Sequence, residues 1–339
     1  MKSKHIVSRE AARIERDVRR IEHGALRMVK NWTLPLAMTA GTAVYLPFAF
    51  VSRLDAAAAF FAPVFDAILP LFMFLVLFVT FCKVDFRRLR PVAWHWWVCL
   101  ASLLLVAASM AVTLGLHLKG SSLVLMEALL MCIVAPCATA AAVVTQKLGG
   151  SLEQMTTYTF LSNFVTALVV PVAFPMIEPA QGMTFVSAFA IILYQVSIVL
   201  LGPMLLAWVV KHRLPRLHRW VTSVRDLSYY LWACSLMIVT GTTVKNIVHA
   251  SAPAALLAAI ALLGLVVCVA QFAAGRAIGR CFGHAQEAGQ ALGQKNTAFA
   301  IWIAYVYLHP LASVGPGCYI LWQNIINSFE IWQERRRKT

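Results

Sequence analysis

The sequence predicts an all-α multi-span membrane protein, with ten transmembrane helices arranged as two inverted five-helix repeats. Three features carry this expectation. Of 339 residues, 60% are hydrophobic, and mean hydropathy is +0.75; soluble domains hold nearer ~45–50% apolar residues. The apolar residues come in runs of about 20, the length that crosses a ~30 Å hydrocarbon core, and alternating strand-like decamers are absent. Lys and Arg also divide unevenly between successive connections. With the N-terminus inside, cytoplasmic segments hold 25 of the 29, and outer loops hold only Arg53, Lys119 and Lys245. The net charge of +15 therefore follows the positive-inside rule and implies no nucleic-acid partner. It places a multi-pass chain in the cell's inner membrane, with both termini cytoplasmic.

Residues 1–30 lack the apolar core of a signal peptide. Val7, Ala11, Ile14, Val18, Ile21, Ala25 and Met28 recur in steps of four and three, one apolar stripe on a charged helix. This cytoplasmic basic amphipathic helix is expected to lie on anionic inner-leaflet lipids of the bilayer. Spans follow near 31–52, 58–82, 93–116, 122–146, 152–177, 184–210, 227–248, 253–280, 286–308 and 311–333, and residues 334–339 form a basic cytoplasmic tail. The eight cysteines lie mostly inside apolar runs with no C-x-x-C pair, which reads as small core thiols. Trp94, Trp96, Trp97, Trp220 and Trp332 fall near inner span ends and read as interfacial anchors. No cofactor is implied, and no paired acid and base, nucleophile motif or metal-ligand spacing suggests an enzyme.

Residues 31–177 and 184–333 are nearly equal in length, and an odd number of spans per half inverts the second half. In such transporters the site lies where corresponding helices are interrupted near midplane. The fourth span carries Pro136 and the ninth carries Gly289 and Gly293, residues that break or loosen a helix. Just past Gly293 lies Lys295, flanked by Gln294, Asn296 and Thr297. A charge at the centre of a membrane helix costs about 2.5–3.5 kcal/mol on insertion scales, so it needs a partner or a function. About ten residues into its span, Lys295 lies roughly 15 Å deep, a long reach to the surface. Thr139, Thr159 and Asn163 on the fourth and fifth spans, and Asn324 on the tenth, are further candidates for a polar lining. Glu127 and Asp66 are intramembrane carboxylates that could carry a coupled proton, as could Lys295 itself.

Four stretches then resemble one family. LPLFMFLVLFVTFCKVDFRRLRP (69–91), APCATAAAVVTQKLGGSLEQMTTYTFLSNFVTALVVPVAFP (135–175), ALGQKNTAFAIWIA (291–304) and GPGCYILWQNIINS (315–328) are similar, in order and spacing, to the second, fourth and fifth, ninth and tenth spans of the bile acid:sodium symporter family. The resemblance implies a panel domain of spans 1, 2, 6 and 7 (31–90 and 184–250) and a core domain of spans 3–5 and 8–10 (91–177 and 251–333). It also implies crossing, discontinuous fourth and ninth helices, with substrate bound beside the crossing.

The chain departs from the family at its sodium ligands. Sodium-coupled members show Pro-Gly-Gly-x-x-Ser-Asn in the fourth span; here Ala141 and Ala142 replace the hydroxyl and the amide. In the ninth, Glu-x-Gly-x-Gln-Asn becomes Ala291-Leu292-Gly293-Gln294-Lys295-Asn296, with the carboxylate lost and a glutamine turned to lysine. A second register, placing Glu287-Ala288-Gly289 on Glu-x-Gly, keeps one carboxylate. An ammonium ~4 Å from a sodium ion repels it by about 4 kcal/mol at an effective dielectric of 20, nearly three orders of magnitude in binding. The expectation is a secondary transporter of an organic anion, bile-acid-like or smaller, with Lys295 in place of sodium. Sodium coupling through rebuilt ion sites, and a transporter-derived sensor, are the alternatives.

Overall fold

The computed structural model describes residues 33–338 except 52, 53, 86, 88, 180, 181, 225, 226 and 249–251. The amphipathic arm expected at 1–30 lies outside the described residues. The described residues are mostly helical, and the only extended pairing among them is an isolated antiparallel bridge between Cys137 and Lys295.

The first helices are α1 (Thr33–Phe50), α2 (Asp55–Cys82) and α3 (Ala93–Gly115). A pair interrupted by five residues follows, α4 (Ser121–Val134) and α5 (Ala140–Lys147). After α6 (Leu152–Ile177) come α7 (Phe185–Leu200), α8 (Gly202–Arg213) and the short α9 (Pro215–Ser223). Next are α10 (Leu227–Val248) and α11 (Ala254–Arg280). A second interrupted pair, α12 (Ala285–Gly293) and α13 (Thr297–Tyr307), precedes a 3₁₀ turn (Pro310–Ser313) and α14 (Val314–Lys338).

Three of these helices, α3, α6 and α11, are each long and apolar enough to cross a bilayer. The pair α7 and α8, bent by 44° at Leu201, passes the same test together. Leu104, Leu168, Leu262 and Val266 stand exposed on α3, α6 and α11, which is where lipid replaces water as the solvent of a membrane helix.

Connections gather at two ends. At one, Gly120, Glu178, Lys245, Pro253 and His309 border a single depression. At the other, Trp94 meets Gln154 and His284, Lys83 reaches the carbonyl of Val224, and Leu148, Arg280 and Arg337 border one pocket. Most described Lys and Arg residues lie at this second, basic end.

Glycines permit the closest helix contacts. A Cβ on Gly275 would sit 2.3 Å from the Ala288 carbonyl oxygen, and one on Gly279 as close to that of His284. These two residues, four apart on α11, seat α12 directly against its backbone, a small-residue stripe of the kind that packs membrane helices. Gly41 on α1 receives the Met237 carbonyl of α10 in the same way.

Two expectations are corrected. Trp94 is not an interfacial anchor: it is 1% exposed and its indole N–H donates to Gln154 Oε1 at 2.8 Å. It packs beside Tyr158, whereas Trp96, Trp97, Trp220 and Trp332 are exposed. The first turn of α3 turns one side inward, and Trp94 and His95 lie on that side. Among the cysteines, Cys234 and Cys281 are exposed, so the core-thiol reading holds for Cys82, Cys99, Cys132, Cys137 and Cys268.

Candidate functional site

The site begins with Pro136. A proline excludes its predecessor from helical backbone, and Ala135 is extended at φ −55°, ψ 140°. Helix α4 therefore stops at Val134, and its last carbonyls lose their usual donors. Pro136 has no N–H for Cys132. The N–H of Cys137, which would serve Ile133, donates to Ser162 Oγ at 3.1 Å. The N–H of Ala138, which would serve Val134, donates to the Gln294 carbonyl at 2.9 Å.

Each stranded carbonyl is recovered by a side chain from elsewhere. Gln271 Nε2 of α11 donates to Cys132 O at 3.0 Å. Lys295 Nζ donates to Ile133 O at 2.8 Å. Thr166 Oγ1 of α6 donates to Val134 O at 2.9 Å. Buried backbone acceptors of this kind must be satisfied inside a membrane. The ammonium also sits at the negative end of the α4 dipole, where a cation gains up to about 2 kcal/mol in buried geometry. Lys295 is 3% exposed, so it is held at the crossing and does not snorkel.

The second break mirrors the first. Helix α12 stops at Gly293, whose missing side chain makes room for the Phe272 ring. Its carbonyl accepts the Tyr319 hydroxyl at 2.7 Å. Residues 294–296 then run extended, with Pro136 to Ala138 on one edge: Asn296 N–H donates to Pro136 O at 2.8 Å. Gln323 of α14 clamps the other edge. Its Oε1 accepts the Lys295 N–H at 2.9 Å, and its Nε2 donates to the Lys295 carbonyl at 3.3 Å. Ser162 on α6 accepts the Cys137 N–H as Gln323 accepts that of Lys295, but its own hydroxyl donates to Thr159 O.

Two cavities flank the crossing. The larger, about 150 Å³, is bordered by Thr139, Gln294 to Thr297, Gln323 and Asn324 on one side. Met73 and Leu77 of α2, and Trp232 and Ser235 of α10, face them. Helices α5 and α13 both begin at this cavity and turn the positive ends of their dipoles toward it, although the Ala141 and Thr297 N–H groups already donate to Ala138 O and Lys295 O. Asn296 caps α13 through Phe299 N–H at 3.2 Å, while the Thr139 side chain caps nothing at α5. On the opposite side, Cys99, Ser102, Tyr158 and Ser162 border a narrow cleft that also reaches Lys295.

Of the residues singled out in the sequence, Lys295, Gln294, Asn296, Thr297, Thr139 and Asn324 therefore come together. Thr159 and Asn163 do not border either cavity. The Thr159 hydroxyl donates to Met155 O within α6, and Asn163 is 2% exposed with both side-chain polar atoms unpaired. Glu127 is buried away from the crossing, accepting the His309 N–H at 3.2 Å. Asp66 belongs to α2, and its side chain lies outside the described residues. Glu287, the carboxylate of the second register, accepts the Ser151 N–H at the basic end and takes no part in the crossing. Gln271, Thr166 and Tyr319 were not singled out: isolated polar residues in apolar helices, they gain meaning only from the carbonyls they meet.

The carbonyl end of α4 does not offer a sodium ion a site. Sodium needs several free oxygens and nearby negative charge. The three carbonyls at the end of α4 already accept donors, and the middle one carries an ammonium.

Interrupted helices crossing inside an apolar bundle, beside a cavity that meets two helix N-termini, define a membrane transporter of the discontinuous-helix class. The chain belongs to the sodium bile acid symporter family, whose model matches residues 70–250. No curated protein matches the chain.

Proposed function

We propose that this protein is a secondary transporter of a small organic anion that works by alternating access without sodium, Lys295 holding permanently the place of a coupling cation. The observation that carries the reading is the double use of the crossing. One face presents two helix N-termini to a cavity, suited to a carboxylate. Inside the crossing, the carbonyl end of α4 is neutralised by a fixed ammonium. At about 150 Å³ the cavity is the size that admits benzene, which favours a small carboxylate over a steroid.

The wider architecture goes with this reading. Counting each interrupted or bent pair as one passage, the described helices would cross ten times between the two ends, with three of them, or four with the bent pair, long and apolar enough by themselves. That Ser162 and Gln323, each on the helix after a break, both accept the N–H of a bridged residue is what two inverted repeats would give. Helices α1, α2, α7 with α8, and α10 would form the panel. The remainder would form a core whose crossing slides or rocks against it. The positive-inside rule would put the basic end in the cytoplasm.

Uptake of labelled small carboxylates into liposomes containing the purified protein tests this. Flux is expected to persist when choline replaces sodium, and Lys295→Ala is expected to abolish it. Sodium-dependent flux in the wild type would overturn the reading.

A further inference from the structure

A second recognition site lies at the basic end, away from the crossing. An open concavity of about 840 Å³ is bordered by Lys83, Arg87, Lys211, His212 and His218, with Asp85 the one carboxylate among its described residues. Side-chain cations thus outnumber carboxylates three to one among its described residues. The walls are braced by backbone. Lys83 Nζ donates to Val224 O at 3.3 Å, Lys211 Nζ to Val84 O at 3.3 Å, and His218 Nε2 pairs with Cys82 O at 2.9 Å. The Lys211–Asp85 pair is loose at 3.8 Å. A concavity with excess positive charge, held open by such braces, suits a phosphate group.

The adjoining surface indicates what carries that phosphate. Leu214, Leu217 and Trp220, three residues apart along the start and body of α9, are 50%, 40% and 62% exposed. Arg213, Arg216 and Arg219 run beside them and are exposed as well. Trp208, 48% exposed, lies against His212 with the rings tilted by 38° and their centroids 4.8 Å apart. A short helix with an exposed apolar stripe flanked by arginines, among exposed tryptophans, has the pattern of a segment lying at a membrane–water boundary. Apolar chains would lie along the stripe while a charged group enters the concavity.

We propose that this concavity binds the headgroup phosphate of an anionic phospholipid, with Arg87 and Lys211 as its principal charge partners and α9 covering the acyl chains. Such a ligand would tie α2 to α8 and α9 at the membrane surface. The proposal is independent of what the crossing carries.

The full-length protein, purified in detergent, is titrated with dioctanoyl phosphatidylglycerol, dioctanoyl phosphatidylcholine and inorganic phosphate, with binding read by thermophoresis. Saturable binding is expected for phosphatidylglycerol alone. Each basic group near a lipid surface contributes about 1 kcal/mol, so Arg87→Gln with Lys211→Gln should weaken binding roughly thirtyfold. Arg336→Gln with Arg337→Gln makes the same charge change at the same end outside the concavity, and should leave the affinity unchanged. Should the first pair fail to fold, Arg87→Gln alone, at an exposed side chain, should give a loss of about fivefold. Equal binding of phosphatidylcholine, phosphate binding as tight as the lipid, or an equal loss in the control pair would each overturn the proposal.

Discussion

Lys295 owes its position to a proline 159 residues earlier in the chain. Pro136 ends α4, the stranded Ile133 carbonyl needs a donor, and the ammonium supplies one. Lys295→Met removes that donor and leaves the carbonyl end uncompensated. A charged hydrogen bond contributes about 1.5–3 kcal/mol, and a loss of that order is expected in chemical unfolding of the detergent-solubilised protein. Gln323→Leu strands the Lys295 N–H instead, while the Lys295 carbonyl keeps the Thr297 N–H. It should destabilise by about 1–3 kcal/mol without touching the ammonium. Sodium should restore neither variant, because Ala141 and Ala142 offer it no ligands. A sodium-specific rise in the thermal midpoint of wild type would show that ion ligands lie elsewhere.

At the scale of elements, the α11–α12 contact fixes where the second break falls. Gly275 and Gly279 let α12 lie against α11 backbone to backbone, and Gln271, one turn before Gly275, is thereby aimed at Cys132. Gly275→Ala must push α12 away. Overpacking costs about 1–3 kcal/mol, and here it should also shift the crossing. Gly115→Ala meets nothing within 4 Å and serves as the control. Size-exclusion profiles and thermal midpoints of the two variants should separate clearly. Unchanged behaviour in Gly275→Ala would mean that the contact is looser than the distances imply.

For the whole molecule, the relevant property is how flux depends on charge and on the accompanying ion. On the proposed reading, the fixed cation at Lys295 would make the crossing indifferent to sodium. Two helix N-termini at the cavity should favour an anion over its uncharged amide. Liposome uptake of a small carboxylate is expected to be inhibited by other carboxylates, weakly or not at all by the matching amide, and equally fast in sodium and choline. Inhibition by the amide at the same concentration would remove the argument from the helix ends.

The sequence by itself determined that the chain is apolar and helical and that Lys and Arg favour alternate connections. It also located both helix breaks: long apolar runs, a proline and a lysine among glycines are local signals. It grouped Lys295 with Gln294, Asn296 and Thr297 because they are contiguous, and Thr139 because it follows Pro136. It could not tell Thr159 and Asn163 from Thr166 and Ser162. All four lie on one apolar helix, and only rotation about the α6 axis decides which of them faces the broken backbone. Nor could it turn Trp94 inward, or aim Gln271 and Tyr319, since an isolated polar residue in an apolar run carries no direction. The tertiary structure made those choices because stranded carbonyls buried away from water must find donors. The donors that answered come from α6, α11 and α14, which meet the break in space and nowhere along the chain.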